Sequence, residues 1–155
     1  MRIPLGDFRR AIEEQQRLAG RAYVDNVYQC GPRLFLIRFK HDRKTHLRID
    51  LESGRARSLL TDQPPETPRT PPVLGVILRK ALRGARLTGV EMPAEDRVVI
   101  YTFAVGDDSR RLVVEALPRH GNLLLLDADG RVERVLDGDA ARHRGSPVGS
   151  PYAAP

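Results

Sequence analysis

The sequence has one cysteine, no tryptophan and no long apolar run. Cys30 stands alone among 155 residues, so an internal disulfide is excluded. The four histidines do not combine with each other or with the cysteine at metal-ligand spacing, and no metal site is predicted. The N-terminal residues lead into no apolar stretch, so the sequence shows neither a signal peptide nor a membrane-spanning helix. We therefore expect a cytoplasmic location and no membrane partner.

Signatures of enzymes and of cofactor sites are also missing. The chain has no phosphate-binding P-loop, no glycine fingerprint for dinucleotides and no nucleophile elbow. Asp96 and Glu115 could be imagined as a catalytic carboxylate pair, but the sequence does not set the distance between them. We predict a protein without catalytic residues, without a cofactor and without a small-molecule substrate.

Positive charge is in excess, although lysine is scarce. The 26 lysine and arginine residues outweigh 20 acidic residues, which gives a net charge of +6. Such an excess attracts polyanions, and nucleic acid is the obvious partner class. The alternative is a general arginine bias, because lysine occurs only at positions 40, 44 and 80. Aromatic residues make up 5%, and we expect Tyr101 and Phe103 in the core rather than in a base-stacking surface.

Hydrophobic spacing predicts two helices and two blocks of strands. Apolar residues recur every three or four positions over residues 5–19, and over residues 72–83 behind a proline-rich connector. Strands are predicted over residues 22–29, 34–39, 45–51, 86–92, 97–105, 112–117, 122–127 and 131–136. This order indicates an α+β fold with two packed, mostly antiparallel sheets, sandwich-like and flanked by two helices. Residues 1–137 form the predicted domain, and residues 138–155 form a predicted loop or C-terminal tail that closes it.

Five local strings occur in an order that is typical of one known family. They are residues 27–29 (Val-Tyr-Gln), residues 71–82 (two prolines before a Leu-Arg-Lys helix), residues 95–99 (Glu-Asp-Arg before a strand), residues 112–125 (a glutamate, an Arg-His pair and an asparagine), and the final Tyr152 and Pro155. Together they resemble the N-terminal domain of the NFACT family, also called the fibronectin-binding protein A domain. Departures are Pro118 and Gly121 beside the Arg-His pair, where glycine and serine are usual, and Ala81, where histidine is common.

The resemblance implies a function. NFACT proteins bind tRNA and the large ribosomal subunit in ribosome-associated quality control, so non-catalytic RNA binding is the implied activity. Longer members continue into a helix-hairpin-helix segment, a coiled coil and a further domain. We therefore expect this chain to be either an excised domain or a short stand-alone relative. The alternatives are a protein-interaction or adhesin domain, as the older family name suggests, and a residual DNA binder.

The family domain is itself similar to the N-terminal domain of formamidopyrimidine-DNA glycosylases. Those enzymes use an N-terminal proline amine as the nucleophile, with an adjacent glutamate. Here Arg2 follows Met1, and the first proline is Pro4. The required amine is absent, so we expect no base-excision activity.

Seven residues are candidate RNA contacts. The first two are Asp96 and Arg97. The planar guanidinium of an arginine suits phosphates and guanine edges, and an adjacent aspartate can orient it. The resemblance implicates this pair in contacting tRNA. Arg119 and His120 lie in a loop between two apolar strands, where the imidazole could stack on a base or bond a phosphate. The remaining candidates are the basic helix residues Arg79, Lys80 and Arg83.

Each candidate has a plainer structural alternative. Asp96 and Arg97 could form a solvated ion pair where a strand begins, and His120 and Asn122 could satisfy backbone groups in a tight turn. The basic helix residues could be the exposed face of an amphipathic helix. A guanidinium is costly to bury unless it is paired, so we expect Arg97 to be exposed. We also expect the pair Asp96 and Arg97 and the pair Arg119 and His120 to share one face, because both pairs lie at the ends of neighbouring strands.

Overall fold

The computed structural model describes residues 3–40, 44–94 and 96–155. Arg2, on which the expectation of no glycosylase chemistry rests, and Glu95, which opens the Glu-Asp-Arg string, lie outside these ranges. No helix of the described residues is long and apolar enough to cross a membrane. The elements in chain order are α1 (Leu5–Gln16), β1 (Tyr23–Gly31), β2 (Leu34–Lys40), β3 (Lys44–Asp50), β4 (Arg57–Thr61), α2 (Val73–Leu82), β5 (Arg86–Glu91), β6 (Val98–Val105), β7 (Asp108–Glu115), β8 (Asn122–Leu126), β9 (Val132–Val135) and α3 (Gly138–His143).

All strands belong to one antiparallel sheet with the order β4-β3-β2-β1-β5-β6-β7-β8-β9. The two halves of this sheet are joined by a short pairing of β1 with β5 at Tyr23 and Arg86. Around it, the Val24 amide donates to the Ala85 carbonyl at 2.8 Å. The α+β architecture with flanking helices is confirmed. The two sheets expected from the sequence are the two halves of one continuous sheet, because these few ladder bonds link them.

The main core lies between the two halves of the sheet. Ser58 on the edge strand β4 hydrogen-bonds Tyr101 on β6, which shows that the sheet curls until its halves face each other. Helix α1 contributes Phe8 and Ile12, which are 1% exposed. Alternate strand residues complete the cluster: Phe35, Ile37, Phe39, Leu47, Ile49, Leu87, Val99, Tyr101, Phe103, Leu112, Val114, Leu123 and Leu125. Tyr101 and Phe103 are core residues, as expected.

Three buried polar groups cross this core. Gln15 on α1 donates through Nε2 to the Ser58 carbonyl at 2.8 Å, and its Oε1 accepts from the Tyr101 hydroxyl. Burial raises the pKa of Tyr101, so the hydroxyl stays a donor. A paired buried polar group fixes one arrangement of its elements, and here it aligns α1, β4 and β6.

A second apolar cluster occupies the other face of β6–β9. It consists of Val98, Ile100, Val113, Leu124, Leu126 and Val132. The last residues of the chain cover it. Tyr152 packs against the cluster, and the Val132 amide donates to the Ser150 carbonyl at 2.8 Å. The segment expected to be loop or tail therefore contains α3 and a stretch that pairs with β9.

Candidate functional site

One edge of the sheet collects two of the sequence-predicted pairs. Register places Val98 opposite Glu115, and Glu115 opposite Asn122, so β6 begins, β7 ends and β8 begins at the same edge. Residues 96–97 directly precede β6, and residues 119–120 lie in the loop between β7 and β8. We call this region the strand-mouth edge. Helix α3 starts beside it, because the Asp137 amide donates to Asn122 Oδ1 at 2.9 Å.

Arg97 does not present its guanidinium to solvent. The residue is only 8% exposed, so the expected exposure is wrong. Its carbonyl accepts from the Ala116 amide, and its amide donates to Asp96 Oδ1, each at 2.7 Å. The bond to Ala116 extends the β6–β7 pairing past Val98, so the backbone of Arg97 belongs to the sheet rather than to a loop. Asp96 stays half-buried at the edge.

The loop after β7 exposes Arg119 and His120. His120 has a φ of 57°, a left-handed conformation that histidine adopts more readily than most residues. Gly121 is enclosed, since a Cβ there would lie 3.2 Å from the Glu115 carbonyl oxygen. Arg33, in the turn between β1 and β2, donates to the Gly121 carbonyl and ties the loop to that turn. The loop is thus a turn whose backbone is fixed by these contacts, and it exposes the side chains of Arg119 and His120.

Asn122 satisfies backbone groups, which is the structural alternative that the sequence left open for it. Its Oδ1 accepts from the amides of Leu123 and Asp137, each at 2.9 Å, and its Nδ2 donates to the Asp137 carbonyl at 3.0 Å. The side chain is fully buried and joins β8 to the start of α3. Asn122 is therefore unsuited to contact a ligand.

The sequence named Glu115 only as an imagined carboxylate partner of Asp96, and its burial at this edge was not predicted. Glu115 is 3% exposed, and its Oε2 accepts from the Tyr152 hydroxyl at 2.7 Å, while Arg144 Nη1 lies 3.5 Å from its Oε1. Burial raises the pKa of Glu115, the Tyr152 bond and the Arg144 charge oppose that rise, and nearby Asp96 adds to it. A signal was available, because Glu115 interrupts an apolar run that spans residues 112–117.

An open cleft of about 510 Å³ adjoins the strand-mouth edge. It is lined by His120, Asp137, Asp139, Ala140, His143 and Arg144. One guanidinium and two imidazoles offer donors to an anionic or polar ligand. Among the described residues, no group of three or more His, Cys, Asp or Glu side chains is placed to hold a metal ion.

The basic residues of α2 lie elsewhere. Helix α2 packs against β1, in the other half of the sheet. Arg79 donates through Nε to the Val27 carbonyl at 3.3 Å and covers the Tyr28 ring, so it is partly committed to structure. Lys80 and Arg83 are exposed. The structure thus brings four of the seven candidates to one edge and leaves three on or directly after helix α2.

Comparison with known proteins gives the family. A family model described as NFACT N-terminal and middle domains matches residues 7–155. The Rqc2 homolog RqcH of Bacillus subtilis is 31% identical over 114 residues, covering 64% of this chain and 20% of that protein. Ribosome quality control complex subunit 2 of Schizosaccharomyces pombe is 35% identical over 136 residues, covering 81% of this chain and 12% of that protein. The chain spans a fifth or less of either relative.

Solved structures with the same fold carry a different kind of name. The N-terminal domain of fibronectin-binding protein PavA from Streptococcus pneumoniae superposes with a TM-score of 0.87 at 22% identity, covering 97% of this chain and 61% of that one. The fibrinogen binding protein from Staphylococcus aureus gives a TM-score of 0.80 at 21% identity, covering 97% and 55%. At these identities the likeness establishes the fold alone. The ordered strings, the fold and the match over residues 7–155 agree, and the chain belongs to the NFACT family, to its N-terminal and middle domains.

Proposed function

We propose that this chain is a non-catalytic RNA-binding domain that contacts tRNA and the large ribosomal subunit in cytoplasmic ribosome quality control. Its relatives carry ribosome quality control in their names, and its net charge of +6 suits a polyanionic partner. The observation that carries the proposal is the strand-mouth edge, where register places Asp96 beside the loop that exposes Arg119 and His120.

Within this edge the residues have different roles. Arg119 and His120 are exposed on a held turn, so they contact the RNA directly, the arginine through a phosphate or a base edge. Asp96 accepts from a base amino group or orients a donor. Arg97 is too buried to offer its guanidinium to the RNA, and its role is to stabilise the strand-mouth edge from within the sheet. Lys80 and Arg83 on α2 add positive charge that steers the RNA.

A double variant, Arg119→Ala with His120→Asn, tests the proposal in a tRNA filter-binding assay at two salt concentrations. Asparagine is chosen because it tolerates the left-handed backbone at φ 57°. We expect an affinity loss of roughly 1–3 kcal/mol if a base is read, or a salt slope reduced by about 1 if a phosphate is held. Arg10→Ala is the matched control, because it removes one exposed charge from α1.

Unchanged tRNA affinity in a folded double variant would defeat the site. Fibronectin and duplex DNA belong in the same assay, because they represent the adhesin and DNA-binding alternatives. Binding of fibronectin with no binding of tRNA would defeat the function as a whole.

A further inference from the structure

The face of β1–β4 that points away from the main core is rich in arginine. Two adjacent rows cross the four strands: Tyr28, Leu36, Arg48 and Leu59 in one, and Asn26, Arg38, His46 and Thr61 in the next. A third row contains Asp50 and Arg57. Intervening residues such as Val27, Ile37 and Leu47 belong to the main core, so these rows lie on the opposite side of the sheet. We call this surface the outer face.

The proline-rich segment between β4 and α2 crosses the outer face and makes a cleft. The cleft has a volume of about 440 Å³ and is lined by Tyr28, Leu36, Arg38, His46 and residues 64–67. Leu36 lines this cleft, is only 2% exposed and belongs to neither apolar cluster. The volume falls within the range of small-ligand sites, about 300–1,000 Å³. Tyr28 also lines a neighbouring cavity of about 180 Å³.

The flat groups of this cleft are held in place before any ligand arrives. Arg38 and Arg79 lie over the Tyr28 ring, at 5.6 and 5.5 Å from its centroid. Arg38 Nε donates to Asp25 Oδ2 at 2.7 Å, and Arg79 Nε donates to the Val27 carbonyl at 3.3 Å. Side chains fixed in this way lose little conformational entropy on binding, so they form a preorganised surface.

Around the third row of the outer face, arginine side chains offer more hydrogen-bond donors than the nearby carboxylate can accept. Asp50 Oδ2 lies 3.6 Å from Arg48 Nη2 and 3.8 Å from Arg55 Nε, and Arg57 faces Asp50 across the strand pair. Two guanidinium groups therefore lie within 4 Å of one carboxylate, and a third arginine is its neighbour on the adjacent strand. The buried Nε atoms of Arg48 and Arg57 have no hydrogen-bond partner among the described residues. Buried donors left in this way are rare. Both arginine side chains are otherwise part-exposed, so the accessible part of each suits an anion.

We propose that the outer face binds single-stranded RNA, with one unpaired base in the cleft and its phosphates on Arg48 and Arg57. The base packs between the Arg38 guanidinium, the His46 ring and the proline side of the cleft, while Leu36 forms the floor. His46 and Arg48 lie two residues apart on one face of β3, about 7 Å, which matches the spacing of successive nucleotides. This inference rests on the proposed function and assigns it a second contact surface, distinct from the strand-mouth edge.

An RNA strand fits this surface better than an acidic peptide does. Guanidinium planes and rings that border an apolar floor stack on bases, and stacking is sequence-tolerant because every base has a flat face. An acidic peptide would pair its carboxylates with the arginines, but it would not fill a flat, half-apolar cleft. Unpaired nucleotides are therefore the ligand that the outer face suits best.

The test measures binding of a fluorescent ten-nucleotide oligouridylate to the whole chain by anisotropy, at several salt concentrations. Arg48→Gln with Arg57→Gln should reduce the salt slope by about 0.7 for each lost phosphate contact. Arg10→Gln with Arg134→Gln is the matched control, since both residues are exposed and lie off the outer face. An equal effect of the two double variants would overturn the phosphate assignment.

Base recognition is tested separately with an abasic oligomer of the same length. The wild-type chain should bind the oligouridylate about fivefold or more tightly than the abasic strand, and Arg38→Gln should abolish that difference. Equal binding of both strands to the wild type would overturn the base site. Polyglutamate that competes as well as the oligouridylate would show an acidic-peptide surface instead.

Crosslinking of 4-thiouridine oligomers to the unmodified protein keeps the proposal testable even if a variant folds poorly. Crosslinked peptides should contain Tyr28, His46 or residues 64–67. Crosslinks confined to residues 96–97 and 119–120 would overturn the outer face and leave the strand-mouth edge intact. Loss of tRNA binding in Arg119→Ala with His120→Asn, beside unchanged oligouridylate binding, would separate the two surfaces in the other direction.

Discussion

At the scale of single residues, Glu115 is a carboxyl group buried at the strand-mouth edge. Its carboxyl is 3% exposed and is held by the Tyr152 hydroxyl at 2.7 Å and by Arg144 at 3.5 Å. Burial favours the neutral acid, whereas both partners favour the carboxylate. The net direction is upward, so the pKa of Glu115 lies above its ordinary value of 4.5. The folded protein therefore binds this proton more tightly than the unfolded chain does.

This shift predicts a pH dependence of stability. A raised carboxyl pKa contributes stability that is complete below about pH 4.5 and is lost as the pH rises through the folded-state pKa. Glu115→Gln removes the titration but keeps an oxygen that accepts from Tyr152. Urea unfolding between about pH 4 and pH 8 should therefore show the wild type losing stability relative to the variant as the pH rises. The opposite slope would mean that Arg144 and Tyr152 outweigh burial.

Residue-scale prediction from the sequence worked where side-chain type decides burial. Tyr101 and Phe103 share one face of an apolar strand, and both are in the core as expected. Arg97 was misjudged because a bond between its carbonyl and the Ala116 amide continues the strand pairing past Val98. That bond joins two strands, and no local pattern reveals it. The exposure of His120 followed from its loop position, whereas its left-handed backbone did not.

At the scale of elements, the contact of α2 with β1 is unusually close. The Gly75 amide donates to Gln29 Oε1 at 3.0 Å, so the helix is bonded to the strand it covers. A Cβ at Gly75 would lie 2.7 Å from the Cβ and 3.0 Å from the amide nitrogen of Gln29. Glycine at this position therefore allows two backbones to approach, in a helix where it would otherwise be unfavourable.

Gly75→Ala should destabilise the fold, by about 1–3 kcal/mol in urea unfolding, because neither backbone can move away cheaply. Gly6→Ala is the matched control in α1, where nothing lies within 4 Å of the added methyl group. The control should be neutral or stabilise by about 0.5–1 kcal/mol, as alanine does in a helix. If both variants behave alike, the close approach of α2 to β1 is not a constraint on stability.

Element prediction failed for β4 and α3, and each failure has a physical cause. In β4 the buried position is the polar Ser58, while Leu59 lies on the outer face, so polar and apolar residues do not alternate regularly along the strand. Helix α3 is six residues long and buries only Ala141, which leaves no apolar period to read. Its one local signal was the capping residue, since Asp137 Oδ1 accepts from the Ala140 amide at 3.0 Å.

At the scale of the whole molecule, the sheet is continuous but unevenly joined. Strand periodicity predicted every strand of the sheet except β4, and its two blocks of strands are the two halves of the sheet. The junction between Tyr23 and Arg86 spans distant parts of the chain, and hydrophobic pattern carries no information about such pairings. The same limit applies to the strand-mouth edge and to the outer face. Local strings marked residues such as Arg119, but only the register shows which of them are neighbours.

The second apolar cluster makes the last residues of the chain part of the fold. Val98, Ile100 and Leu124 are buried on the face away from the main core, under a segment anchored by Tyr152 and by the Val132–Ser150 bond. Truncation after Gly145 should expose this cluster and leave Glu115 without its hydroxyl partner. We expect stronger binding of a hydrophobic dye and a loss of at least about 2 kcal/mol in urea unfolding, comparable to uncovering one large apolar side chain.

Truncation after Ala153 is the control for this experiment, because Ala154 and Pro155 are exposed and their removal uncovers nothing. Tyr152→Phe separates the two contributions of the anchor, since it keeps the ring on the cluster and removes the bond to Glu115. It should lose about 1 kcal/mol, less than the longer truncation. A chain truncated after Gly145 that keeps its stability and binds no dye would contradict the covering role, and would place the folded unit within residues 1–145.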